Sequence, residues 1–357
     1  MWSLQARAFL KKLGIQAPII QAPMAGGATT PRLVANVSNA DGLGSIGGGY
    51  LSAEEIRKSI RETRALTQKP FCVNLFTPTQ TIISERKIQK MVKILSKYNK
   101  ELKITSSATI PMADSFDAQL EVIIEEKVPV VSFTFGIPTA NQIQKLKAQK
   151  IILIGTATTV KEGIKLAENG CDFIVAQGSE AGGHRGSFLG SFKKSLIGTM
   201  ALVPQLVDAV NVPVIAAGGI MDGRGLGAAL MLGAAGVQMG TAFLTCPESG
   251  VHKKYKEAIL KSNEESTVVT TVFSGKLARG IQNKFIEEME KYEEDILEYP
   301  FQHYLTQPIR KESARQDQLE WMSLWAGQGT RLSKELPADE LIKKIIEQLK
   351  ELMPPQQ

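Results

Sequence analysis

The chain has 357 residues, 43% hydrophobic and 22% charged, with a net charge of +6, a length that suits one large barrel with an addition or two ordinary domains. Apolar runs such as 128–133 and 212–217 fall far short of the roughly 18 residues of a membrane span, and the dispersed lysines give little support to nucleic-acid binding. Cys72, Cys171 and Cys246 are odd in number and too widely spaced for a disulfide framework or a metal site, and read as reduced, packed thiols.

From residue 18 onward, short apolar or β-branched runs alternate with helical patterns, as in successive parallel βα units. The strand candidates are Pro18–Met24, Leu43–Tyr50, Pro70–Thr77, Val128–Gly136, Ile151–Thr158, Asp172–Gly183, Val212–Ile220 and Gly236–Phe243. Eight such strands close a (β/α)₈ TIM barrel, an α/β fold. Ser52 and Glu55 form a capping-box pattern, Pro138 opens another helical segment, Thr159–Asn169 stops at Gly170, and Thr199–Val210 carries apolar residues in helical phase.

Two connections exceed a simple crossover. Residues 78–127 hold an extra lysine-rich helix, Ser84–Lys97, and residues 244–324 hold a β-like stretch, Thr267–Phe273, and a charged helix, Phe285–Tyr292. Ala338–Leu352 reads as the eighth barrel helix. The expected organisation is a barrel over 1–245, a small α/β lid inserted over 246–324, and a return to the barrel over 325–357. The first seven residues lack signal-peptide architecture, so a cytoplasmic location is expected.

In such barrels the site forms at the C-terminal strand ends. Strand one ends in Ala22-Pro23-Met24 and Gly26-Gly27, where a flat ligand could approach the backbone with Met24 as a polarisable wall; a core Met beside a glycine turn is the plainer reading. Asn74, polar in an apolar strand, suits the donor–acceptor edge of a flavin or an ordinary structural hydrogen bond. Strand six runs through Gln177 into Glu180-Ala181-Gly182-Gly183-His184-Arg185-Gly186. His184 there suits proton transfer with a carbon acid or a hydrogen bond to an anion, against the alternative of a solvent-facing loop histidine. The other two histidines, His252 and His303, read as surface or packing residues. Gly218-Gly219 after strand seven and Gln238-Met239-Gly240-Thr241 after strand eight make the usual phosphate cradle. No Walker loop or GxGxxG dinucleotide unit is present, and Leu324–Gly329, with Gln328, marks either a second approach to the ligand or a tight turn.

These segments resemble the nitronate monooxygenases, formerly 2-nitropropane dioxygenases, in particular the class I group. The resemblance runs from Gln21-Ala22-Pro23-Met24 with Thr30-Pro31, through Phe133-Thr134-Phe135-Gly136 and Glu180–Gly186, to Ala326-Gly327-Gln328. It implies non-covalent FMN, no metal, and oxidation of a small anionic nitronate of the propionate 3-nitronate type by O₂. It places Asn74, Gln177, Gly182, Gly219 and Gln238 to Thr241 on FMN, and His184 beside the substrate. Thr134 stands where some members carry His, which bears on substrate preference. The same scaffold also serves NADH-dependent enoyl-acyl-carrier-protein and quinone reductases, and a non-catalytic flavin-binding barrel is the reading from another class. The physiological nitronate stays open, as does a homodimer.

Overall fold

The apolar runs do form eight parallel strands, each shorter than the sequence suggests. A computed structural model describes residues 3–79, 81–105, 115–190 and 192–353; Met1, Trp2 and parts of the 78–127 connection lie outside them. The strands are β1 (Ile19–Gln21), β2 (Gly44–Gly47), β3 (Phe71–Phe76), β4 (Val130–Thr134), β5 (Ile152–Ala157), β6 (Phe173–Gln177), β8 (Val214–Ala217) and β9 (Gly236–Met239). Their order is β1-β9-β8-β6-β5-β4-β3-β2, and a parallel bridge between Ile20 and Leu43 brings the two edge strands together. The fold is a TIM-type α/β barrel.

The sequence reading of strand six as one run to Gly183 is corrected. The run ends at Gln177, and Gly183–His184 is a separate short strand, β7, in a second sheet. That sheet is antiparallel, ordered β10 (Thr267–Thr270), β11 (Ala278–Ile281), β7, with Ala278 opposite His184 and Arg279 opposite Gly183. The positive φ of Gly183, 72°, re-aims the chain between the sheets.

Capping follows the sequence signals. Ser52 and Glu55 exchange both bonds of a capping box at helix Ala53–Leu66, and Thr139 with Gln142 does so at helix Ala140–Ala148, each cap contributing about 1 kcal/mol. Helix Ala338–Leu352 packs against helices Gly223–Met231 and Pro31–Asn39, so it fills the eighth outer position. Helix Leu4–Leu13 closes the bottom of the barrel: Phe9, Leu10 and Leu13 join Ile20, Val130, Phe173 and Ile215 in one apolar cluster. With the bottom plugged, the strands open only at their C-terminal ends.

The extra helix after β3, Glu85–Glu101, belongs with the late segment. Its Met91, Leu95 and Tyr98 are buried with Val272, Phe273, Phe285, Ile309 and Trp321 in a cluster apart from the barrel. Helix Phe116–Glu125 is the true crossover, docked on Ala53–Leu66 by Arg57, Arg61 and Arg64 around Glu126.

Candidate active site

The strand ends surround a cavity of about 680 Å³. Ala22, Pro23 and Met24 line it after β1, Gln177 and Glu180 to Gly183 frame it after β6, and Gly218, Gly219, Gln238, Gly240 and Thr241 line it after β8 and β9. Gly218 and Gly219 hold φ of 114° and 71°, open to glycine at little cost. Among the described residues, the amides of Gly219, Gly240 and Thr241 have no backbone acceptor, so this edge offers N–H groups to an anion. Gly182 lies so close to the returning chain that a Cβ there would sit 2.5 Å from both Ala326 C and Gly327 N. The return is fastened by Gly327 N donating to Thr241 Oγ1 (2.9 Å) and Gln328 N donating to the Glu180 carbonyl (3.0 Å).

Three residues singled out in the sequence do not line this cavity. Asn74 is buried behind it, its Nδ2 donating to Ser132 and to Thr134 Oγ1, and these two residues present the wall instead. Met239 is core, and the Gln328 side chain is exposed while its backbone makes the tie. Gln177 does line the cavity, but its amide clamps the turn: Nε2 donates to the His184 carbonyl (3.0 Å) and Oε1 accepts from Gly186 N (2.8 Å).

His184 is held from several sides. The fully buried Arg185 donates to the carbonyls of Gln177, Gly178 and Ser195. The buried Glu162 carboxylate accepts from Phe188 N and Leu189 N. The imidazole Nε2 lies 2.8 Å from Ser274 Oγ, on the turn between β10 and β11. Burial, then the charges of Lys276 and Arg310, push the His184 imidazole down to about 3, so it is neutral at physiological pH.

Beside it stands a wall that the sequence reading missed, and it includes cavity contacts of His252 and His303, which read from the sequence as surface or packing residues. Both line the cavity. His303 is buried and stacks on Tyr50 with ring centroids 4.2 Å apart. Its Nδ1 accepts from Arg310 at 3.3 Å, and burial beside that guanidinium pushes its imidazole down to about 2. Arg310 also donates to the His303 carbonyl (2.8 Å) and to Thr306 Oγ1, and among the described residues it has no carboxylate partner. The buried Tyr50 hydroxyl faces Tyr299 and Arg310 without a hydrogen bond of normal geometry, and burial pushes it up to about 12. Lys276 is another buried cation without a carboxylate ion pair among the described residues, its Nζ 4.4 Å from the Phe135 ring centre. A signal was available for part of this wall: Tyr299, His303 and Gln307 recur at spacing four, and Arg310 lies seven residues after His303.

The model of the nitronate monooxygenase family matches residues 7–348. The chain belongs to that family. A probable nitronate monooxygenase of Staphylococcus saprophyticus is 50% identical over 345 residues, covering 96% of this chain and 97% of that one. A counterpart from Staphylococcus aureus strain Newman is 49% identical over 343 residues, 96% of each chain. A solved nitroalkane oxidase from Streptomyces ansochromogenes superposes with a TM-score of 0.90 at 37% identity, over 97% of this chain and 98% of that one. FabK from Thermotoga maritima, at 34% identity and similar coverage, gives a TM-score of 0.76.

As a family member the protein is an oxidoreductase enzyme, and the family is flavin-dependent in general and acts on small molecules with O₂. Among the described residues no helix is long and apolar enough to cross a membrane, and no cluster of His, Cys, Asp and Glu could hold a metal.

Proposed function

We propose that this enzyme binds FMN and oxidises small alkyl nitronates, of the propionate 3-nitronate type, with O₂ to carbonyl compounds and nitrogen oxides. The observation that carries the substrate charge is the guanidinium of Arg310, which lines the cavity beside the Tyr50 hydroxyl with no carboxylate partner among the described residues. An unpaired cation in a half-closed cavity favours an anion more strongly than one in water does.

The residues present fit FMN. The free amides of Gly219, Gly240 and Thr241 suit its phosphate, and the Ala22-Pro23-Met24 backbone with the Met24 sulfur suits a flat ring system. Gly183 faces open space, Gly182 and Gly218 let neighbouring backbone pack tightly behind the wall they line, and Gln177, Gln238 and the Ala326–Gln328 return hold its border. FMN, when bound, supplies the electron acceptance and the reaction with oxygen.

The chain supplies position and charge. Arg310 and Tyr50 hold the anionic end of the substrate, and Thr134, backed by Asn74, sets one wall. His184 is the catalytic residue: it removes the α-proton of a neutral nitroalkane and, once protonated, hydrogen-bonds the nitronate group. Its low proton affinity in the ligand-free cavity is raised by the nitronate formed beside it, because that anion stabilises the imidazolium. Residues 246–324, with helix Glu85–Glu101, act as a lid that excludes water. The enzyme works in the cytoplasm on this reading, without a metal or a nucleic-acid partner.

The test is oxygen uptake by flavin-loaded protein on adding propionate 3-nitronate without NADH. Rapid uptake supports nitronate oxidation. Absence of uptake, with NADH-dependent flavin reduction instead, moves the enzyme to the reductases built on this scaffold.

A further inference from the structure

The hydroxyl that meets His184 comes from the lid side of the molecule, not from the barrel. Ser274 is 1% exposed and sits in the turn joining β10 to β11. Its Oγ lies 2.8 Å from His184 Nε2, donates to the Lys276 carbonyl at 3.1 Å, and accepts from Lys276 N at 3.3 Å. A hydroxyl has one proton and two lone pairs. With the proton on the Lys276 carbonyl and one lone pair taken by Lys276 N, a single lone pair remains for His184.

We propose that Ser274 is a positioning residue that fixes His184 as the Nε2–H tautomer and leaves Nδ1 as the base that meets the substrate. The inference rests on the reading of His184 as the base. The opposite tautomer would need the Ser274 proton for Nε2, which strips the Lys276 carbonyl of its donor. It would also put a proton on Nδ1, a nitrogen with no protein acceptor among the described residues. Nδ1 is therefore the ring nitrogen left to the cavity that His184 lines. With a neutral nitroalkane, Nδ1 takes the α-proton, the C–H electron pair becomes the C=N bond of the nitronate, and His184 becomes imidazolium with Nε2–H still on Ser274. The contact is seated by the second sheet: His184 pairs with Ala278, and Arg185 N donates to the Leu277 carbonyl at 2.8 Å. Tautomer selection thus belongs to the chain segment that covers the barrel.

Three histidines make the tautomer directly observable. The holoenzyme labelled with ¹⁵N-histidine is read by long-range ¹H–¹⁵N correlation, with His184→Asn identifying the signal. The expected spectrum at neutral pH shows a protonated Nε2 and an unprotonated Nδ1; a protonated Nδ1 overturns the proposal regardless of any activity. Ser274→Ala should then admit the other tautomer. It should lower kcat/KM for nitroethane at least ~10-fold relative to preformed ethylnitronate, which needs no base, since a misplaced base forfeits a proton-transfer factor of about 10² or more. Ser274→Thr, which keeps the hydroxyl, should restore the ratio. An unchanged tautomer and an unchanged nitroethane-to-ethylnitronate ratio in Ser274→Ala overturn the proposal. Failure of the base assignment itself is a different result: undiminished nitroethane turnover in His184→Asn with the wild-type tautomer intact.

Discussion

The two rims of the cavity are built on different principles. The rim after β8 and β9 is backbone: Gly218, Gly219, Gly240 and the Thr241 amide present N–H groups, and the returning Ala326–Gln328 segment is tied to it through Thr241 and Glu180. The rim around His184 is side chain, and its members come from distant stretches: Tyr50 after β2, Ser274 between β10 and β11, His303 and Arg310 on helix Phe301–Arg315. A backbone rim has few ways to vary, so it suits a constant group such as a phosphate. A side-chain rim tolerates replacement, so on the proposed reading substrate choice and proton transfer reside there.

The sharpest separation of the rims is His184→Asn. Turnover of nitroethane should fall roughly 10²- to 10⁴-fold, the usual worth of a positioned base, while the yellow flavin remains bound. Loss of flavin together with activity would mean the rims are not independent. Next in size is an effect of acid on stability. His184 and His303 hold their protons weakly when folded, at about 3 and about 2 against an ordinary 6.5. The unfolded chain therefore binds more protons below about pH 6.5, and stability is lost as pH falls from there toward the folded values. Between pH 7 and 5 each imidazole should cost roughly 2 kcal/mol. Urea unfolding at both pH values checks this, and His303→Gln should remove about half of the drop.

The difference between the rims also decides what was legible in the sequence. Glycines at strand ends and the Glu-Ala-Gly-Gly-His run report local backbone needs, so the barrel and the placement of the glycine turns and His184 on the cavity could be read from short windows. The course of Asp172–Gly183 could not, because the break at Gln177 is set by pairing of Gly183–His184 with β11, nearly a hundred residues on. His303 looked like packing because its role depends on Tyr50, some 250 residues earlier, stacking against it. Asn74 shows the reverse case: its polarity was correctly noticed, yet its amide supports Ser132 and Thr134 rather than the cavity. Likewise Glu85–Glu101 was recognisable as surplus to the barrel, but only packing with Phe285 and Trp321 shows what it serves.

The glycine rim is best probed by a pair of substitutions that share a chemistry and differ in space. Gly182→Ala forces a Cβ to within 2.5 Å of the Ala326–Gly327 backbone, so that backbone must move, and about 1–3 kcal/mol of stability should be lost along with flavin retention. At Gly240 the nearest atoms to a new Cβ are Ala22 Cβ at 3.6 Å and the Met24 sulfur at 3.8 Å, ordinary contacts on the cavity wall. Gly240→Ala should therefore melt within about 0.5 kcal/mol of the parent yet bind FMN more weakly, measured by fluorescence titration. Equal loss of stability in both variants would show that the rim is merely a tight turn.

Arg310→Gln gives the smallest expected effect and the most specific one. The guanidinium makes its protein bonds to His303 and Thr306 and has no carboxylate partner among the described residues, so removing its charge unbalances no ion pair. Glutamine retains donors for the His303 carbonyl, and the fold should survive. What is lost is a charge-assisted hydrogen bond to the substrate anion, about 1.5 kcal/mol, or roughly ten-fold in KM for a nitronate with kcat nearly unchanged. A neutral nitroalkane, which carries no charge when it binds, should show a much smaller change in KM. If both substrates weaken equally, Arg310 shapes the side-chain rim through His303 and does not meet the anion, and the contrast between a constant rim and a selective one would have to rest on His184 and Thr134 alone.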